Sequence, residues 1–400
     1  MPVTTSSLAG PADRPTFALT ACVLAISSLT VLANATIAPS LPGLAQTFSG
    51  TPRIETLAAL VLTLPSLAIL LTAWLCGWAA DKLDRKAVLV TAMIAYALGG
   101  ASGAMAETMG QILAGRLVLG IGVAGTMTVA TQLATDFWQG ADRARFMGWQ
   151  GAAISATGIA SLIAGGILAG IDWRGPFLIY LTALPLALVA CMVVPSRTAP
   201  PAAASNRPPA PFPWGVMALT GGLMFLAMAF IMLAGTRLPF LLMTIGVTSP
   251  IWIGATLAGM TLASFPTGLF YGRVRARLDP RRIAIVAFGL MGAGFAIISQ
   301  SYDLLPVVAG ILVCGLGLGL IIPNQNVWLM SHVPKPLRGR AAGLMTTCLF
   351  AGQFVSPLVS GPLRAVMDLH GVFLTFAGGI VFVAVLLWIA PRQITGCAEQ

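Results

Sequence analysis

Charge is what this chain has least of. Asp, Glu, Lys and Arg make up 8% of its 400 residues, against about a quarter in soluble domains. With 57% hydrophobic residues and a mean hydropathy of +0.90, its solvent is a lipid bilayer. Histidine is scarcer still. The two present, His332 and His370, both read as loop residues, so no His–carboxylate proton relay is expected inside the membrane. All twelve acids fall in loops or within a turn or two of a helix end, which leaves no carboxylate at mid-membrane. Six cysteines (Cys22, Cys76, Cys191, Cys314, Cys348, Cys397) are scattered without metal-ligand spacing. Five of them sit in apolar segments as small packing residues. A membrane-embedded enzyme would need clustered His, Cys or acids, and a channel would need a re-entrant, filter-like loop. The sequence offers neither, so no enzyme activity and no cofactor is expected.

Period-two alternation is also missing. The apolar runs last about twenty residues, enough to cross a hydrocarbon core of about 30 Å as helices, whereas barrel strands need about ten alternating residues. Twelve spans are predicted, at 17–38, 57–79, 87–106, 110–134, 146–170, 174–194, 214–236, 250–271, 282–300, 304–328, 341–363 and 371–391. The longest connection, 195–213, is dense in proline, which blocks helix and favours an extended linker. It divides the chain into a first six-span unit, 1–194, and a second, 214–400. The run from Phe17 to Leu32 before Ala33-Asn34-Ala35 has the form of a cleavable signal. Its basic flank is poor and the apolar run passes through the site unbroken, so a retained first span is expected.

A net charge of +10 would suggest nucleic acid in a soluble protein. Here the basic residues sort by side instead. With the N-terminus inside, seventeen fall on the cytoplasmic side and four, Arg53, Arg174, Arg237 and Arg364, on the other; Arg116 alone is left within a span. Both termini are therefore expected in the cytoplasm, and no nucleic-acid partner is expected. Nineteen arginines against three lysines point to a GC-rich bacterial genome, and hence to a bacterial inner membrane.

The chain repeats itself at an offset of 195. Ala114-Gly115-Arg116-Leu117-Val118-Leu119-Gly120-Ile121-Gly122 aligns with Ala309-Gly310-Ile311-Leu312-Val313-Cys314-Gly315-Leu316-Gly317. The same register pairs Gly77 with Gly272, Lys82 with Arg277, Asp84 with Asp279, Lys86 with Arg281, Arg143 with Arg338 and Arg145 with Arg340. Chance matching of Gly-rich helices would not align charged loop residues as well. Six spans per unit is even, so both units enter the membrane the same way up, as parallel repeats about an axis along the membrane normal. Arg116 faces Ile311 across the repeat, so only the first unit is expected to hold a cation within the membrane.

The loop Gly77-Trp78-Ala79-Ala80-Asp81-Lys82-Leu83-Asp84-Arg85-Lys86 resembles the signature loop of the major facilitator superfamily, Gly-x-x-x-Asp-(Arg/Lys)-x-Gly-x-(Arg/Lys)-(Arg/Lys). Asp84, like its twin Asp279, departs from the second glycine. The resemblance implies a gating loop of Gly77, Asp81, Lys82, Arg85 and Lys86, with Arg143 opposite. In it Asp81 would latch the two units through basic loop residues and the positive end of span eleven. Arg116, Gly120 and Gly122 are similar to the family's Arg-x-x-x-Gly-x-Gly pattern. The glycines allow close helix approach, while a membrane arginine costs roughly 3 kcal/mol on insertion scales and should face a cavity or a partner. Leu32-Ala33-Asn34-Ala35-Thr36-Ile37-Ala38-Pro39-Ser40-Leu41-Pro42 resembles the first-span pattern of the twelve-helix drug:proton antiporters, with Asn34 where many carry an acid. Thr157 to Gly165 and Gly166 is a degraded form of their fifth-span motif, and its twin contains Pro357.

The resemblance implies an all-α integral membrane protein, twelve transmembrane helices in two pseudo-symmetric six-helix bundles, the major facilitator fold. It implies a monomeric secondary transporter that moves a small organic molecule by alternating access, with efflux favoured by the first-span pattern. Candidate substrate or coupling residues are Arg116, Asn34, Gln150, Asn324, Gln325 and Gln353. If protons drive it, Asp136, Glu107, Asp303 or the substrate itself must carry them. A facilitated or proton-linked importer of a sugar or organic acid is the alternative. Beside an unpaired Arg116, an anionic or neutral substrate is expected.

Overall fold

The computed structural model describes residues 16–196 and 211–389. The predicted linker lies mostly outside the described residues, as do Arg14, Arg197, Arg207 and Arg392. Among the described residues, twelve helical segments are long and apolar enough to cross a membrane. Their α-helices are α1 (Phe17–Ala35), α2 (Ile54–Lys82), α3 (Arg85–Ala101), α4 (Met109–Phe137), α5 (Gly140–Ile171), α6 (Ala183–Val193, the second part of the span Gly175–Val193), α7 (Trp214–Thr244), α8 (Pro250–Arg275), α9 (Pro280–Ser299), α10 (Leu304–His332), α11 (Arg338–Val366) and α12 (Leu369–Ile389). A 310 turn at Ala38–Ser40 and a short helix Leu41–Thr47 prolong α1, and a 310 stretch Gly175–Thr182 leads into α6.

The helix starts follow from local chemistry. Thr16 caps α1 by accepting from the Leu19 amide. Thr108 and Gln111 cap α4 with a reciprocal capping box. Asp84 accepts from the Lys86 amide and Asp279 from the Arg282 amide, so the repeated aspartate caps α3 and α9 alike. That explains its presence in place of glycine: both residues have ordinary negative φ, and the turn needs no left-handed residue.

Packing repeats as the sequence does. In the first bundle α4 lies against α2 and α3; in the second α10 lies against α8 and α9. The bundles meet along α2 with α11 and along α5 with α8, two contacts related by the same offset. The arrangement is that of parallel repeats about an axis normal to the membrane.

Two predictions need correction. Helix α7 runs to Thr244, eight residues past the predicted end, so Arg237 lies within a span rather than in a loop. The second bundle therefore does hold a membrane cation, and the proposed one-sided asymmetry fails. His332 and His370 also lie within helices, at the last residue of α10 and in the first turn of α12. The basic face of the bundle is the end that carries Lys82, Arg85 and Arg143; the far face is the end that carries Arg53 and Glu55.

Candidate functional site

A cavity of about 410 Å³ lies between the two bundles. From the first bundle it is lined by Thr30, Val31 and Asn34 of α1, Leu62 of α2, Met127 of α4 and Leu162 of α5. The second bundle supplies Met228, Ile231, Met232 and Gly235 of α7, Leu257, Met260 and Thr261 of α8, Ile322 of α10, and Thr346, Leu349, Phe350 and Gln353 of α11. No lining residue is charged. The four methionines give a polarisable wall that adapts to shape. The polar handles are Asn34 and Gln353, one from each bundle, with the threonine hydroxyls. The Asn34 Oδ1 is buried and has no hydrogen-bond partner. Gln353 Oε1 accepts from Ser66 of α2 at 2.8 Å.

The other amides have partners away from this cavity or none. Gln150 donates to Ser27 Oγ at 2.8 Å, tying α5 to α1. Asn324 donates to the Pro280 carbonyl and faces the Tyr271 hydroxyl, within the second bundle. Gln325 is fully buried, and both its side-chain polar atoms lack partners. Asn34 and Gln353 are thus the only two of the sequence candidates that line the cavity.

Arg116 does not line it. Its guanidinium lies over the rings of Phe177 and Tyr180, 4.7 and 4.9 Å from their centroids, and Nη2 donates to the Gly100 carbonyl at 3.3 Å. The partner is an aromatic and carbonyl cage inside the first bundle, which replaces water around the cation. Arg116 still reaches the cavity wall indirectly, because the Tyr180 hydroxyl donates to the Ala33 carbonyl at 2.9 Å, next to Asn34. Arg116 therefore does not favour an anionic substrate, since the cation is not at the cavity.

The far face is closed by contacts between bundles. Arg364 of α11 grips Glu55 of α2 with a two-pronged pair, Nε to Oε2 at 3.0 Å and Nη2 to Oε1 at 3.4 Å. Arg237 of α7 is 3.8 Å from the same carboxylate and donates through Nε to Ser360 at 3.1 Å. Gly166 of α5 lies against the start of α8, where an added methyl would stand 2.6 Å from the Pro250 carbonyl. Gly165 packs on Thr36, and Gly120 and Gly122 bring α4 against Pro65 of α2 and Tyr96 of α3. Pro357 sits inside α11 between the fully buried Ser356 and Ser360.

At the basic face the loop residues engage their own bundle. Asp81 is exposed and accepts from Gln132 of α4 at 3.2 Å. Arg85 is buried and pairs with Asp136 at the end of α4. Lys82 and Arg143 are exposed, and Gly77 meets little beyond Thr128. Arg338 holds the Val333 and Met330 carbonyls in its own bundle. Among the described residues Asp81 meets none of the other bundle in this conformation, while the far face is latched.

The Glu55 cluster was not foreseen. Arg237 looked like the end of a span, although Leu238-Pro239-Phe240-Leu241-Leu242-Met243 continues the apolar run. That continuation was the available signal. Nothing in the spacing of the methionines marks a shared cavity.

Comparison with known proteins agrees with this architecture. The family model described as Major Facilitator Superfamily matches residues 23–249 and 220–395. The class G tetracycline resistance protein of Vibrio anguillarum is 25% identical over 349 residues, covering 84% of this chain and 87% of that protein. The multidrug efflux pump Tap of Mycobacterium bovis is 31% identical over 137 residues, 33% of this chain and 32% of its own. The crystal structure of a D-xylose–proton symporter superimposes with a TM-score of 0.76 over 96% of this chain and 99% of the symporter, at 14% identity. A neutral cavity between two repeated six-helix bundles, latched at one face, is thus built on a known plan, and the chain belongs to the Major Facilitator Superfamily.

Proposed function

We propose that the protein exports a neutral, largely apolar organic molecule across a bacterial inner membrane by alternating access, in exchange for protons. The observation that carries this reading is the cavity: uncharged, methionine-lined and built by both bundles, with one amide from each. Its volume lies in the range of about 300–1,000 Å³ usual for small-molecule sites. An apolar wall with few polar groups gives broad affinity, and the amides give orientation. The basic face is cytoplasmic by its charge, with both termini on that side. The far-face latch then makes this a conformation that accepts substrate from the cytoplasm. The working units are 1–194 and 214–400, joined by 195–213, and the protein works as a monomer. Relatives named for tetracycline resistance and multidrug efflux favour export over import.

The test is reconstitution of the full chain in liposomes with an imposed pH gradient. Neutral apolar drugs, a tetracycline, sugars and organic acids are offered in turn. Gradient-dependent movement of the apolar compounds away from the basic face supports the reading. Transport of sugars or organic acids alone would replace it with the importer.

A further inference from the structure

We propose that Glu55 is a proton-binding site that works the far-face gate. Ionised, it ties the bundles together through Arg364 and Arg237; protonated, it lets them part. The proposal rests on the alternating-access reading above and names the group that would couple it to protons.

The geometry is lopsided in charge. Two guanidinium groups from the second bundle meet one carboxylate from the first, and the ion pairs described between the bundles both run through it. Arg364 takes the hydrogen bonds of both oxygens. Arg237 is fully buried, and its Nη1 and Nη2 have no hydrogen-bond partner. Its neutralisation therefore depends on the charge of Glu55. The Glu55 side chain is 35% exposed, so far-side water can reach it. Among the described residues nearby, Arg53 precedes it in a left-handed conformation (φ 56°). Asp368, beyond the end of α11, accepts from the Gly371 amide. The short helix Leu41–Thr47, also packed against α2, carries no charge.

Protonation places one proton from far-side water on a Glu55 oxygen, and no other bond changes. It removes the charge that both arginines contact. A buried cation without a counter-charge is unfavourable, and parting the bundles relieves it by hydrating Arg237. By reciprocity, parting must favour proton uptake as much as proton uptake favours parting. The gate is therefore closed at high pH and opens as pH falls. A proton enters as the far side opens and substrate leaves, which is the order an exchanger needs.

The experiment uses the full chain in nanodiscs with spin labels at S49C and T248C, two exposed far-face loop positions on opposite bundles, the native cysteines being replaced by alanine. Inter-label distances are read at about pH 7 and about pH 3.5, on either side of the ordinary carboxylate range of about 4. The wild type should shift toward the longer distance at low pH. Glu55→Gln should give the same distribution at both values, displaced toward the longer distance but still populating the shorter one, and Glu55→Asp should restore the shift. A pH response in Glu55→Gln equal to that of the wild type overturns the proposal. In liposomes, Glu55→Gln should lose gradient-driven transport about tenfold while substrate counterflow stays within about threefold of wild type. Loss of both modes by the same factor also overturns it. A wild type that moves no apolar compound defeats the proposed function instead, and leaves the distance experiment to decide the role of Glu55.

Discussion

Ser66 and Gln353 join the two bundles beside the cavity, the Ser66 hydroxyl donating to Gln353 Oε1 at 2.8 Å. The bond spends the Gln353 carbonyl and leaves its amide nitrogen for a substrate acceptor. Gln353→Leu should therefore weaken substrates that carry a hydrogen-bond acceptor more than those that do not. The loss of one neutral hydrogen bond, about 1 kcal/mol, corresponds to about a fivefold rise in KM. Transport kinetics on a matched pair of compounds would show it, and an equal effect on both members would remove Gln353 from recognition.

Arg116 supports Tyr180. Its guanidinium stacks on that ring, and the Tyr180 hydroxyl fixes the Ala33 carbonyl beside Asn34. Arg116→Ala should cost about 2 kcal/mol, the scale of a desolvated cation–π contact, seen as a lower unfolding temperature in detergent. Tyr180→Phe keeps the ring and drops the hydroxyl, so it should leave stability nearly intact and raise KM for substrates held by Asn34. Unchanged KM in Tyr180→Phe would mean that the α1 wall does not need this support.

Two glycines should fail in different ways. At Gly122 a methyl would strike the backbone of α3 inside the first bundle, 2.7 Å from the Ala92 carbonyl. Gly122→Ala should therefore destabilise that bundle, by about 1–3 kcal/mol for overpacking. At Gly166 the obstacle is the Pro250 carbonyl of the other bundle. Gly166→Ala should leave the melting temperature near wild type and bias the far face open, read as loss of crosslinking between cysteines placed across it. The reverse pattern would mean that the bundles are not the moving units.

Asp81 bonds Gln132 of its own bundle while the far face is latched. If it latches the basic face in the opposite conformation, Asp81→Asn should lower turnover several-fold with little change in substrate affinity. Equal turnover with a raised dissociation constant would assign it to binding.

The spans, the repeat and the six-plus-six plan were legible because hydropathy and an offset of 195 are local or periodic signals. The Asp84 and Asp279 caps were legible as a repeated departure, though their purpose was not. Arg237 was misplaced because a lone cation inside an apolar run reads as the membrane boundary. What keeps it inside is Glu55, 182 positions earlier in the chain and on the other bundle. Sequence spacing carries no trace of such a pairing. The cavity was half legible: Asn34 and Gln353 were candidates by polarity, but Gln150, Asn324 and Gln325 looked the same. Only the direction of each side chain separates them.

Alternating access of the two bundles is best checked by two distances measured together: one between labels across the far face, one between labels across the basic face, in the full chain with and without a transported apolar drug and at two pH values. Alternating access requires them to change in opposite senses, the far pair lengthening as the basic pair shortens. Two distances that stay fixed during transport, or that lengthen and shorten together, would contradict it.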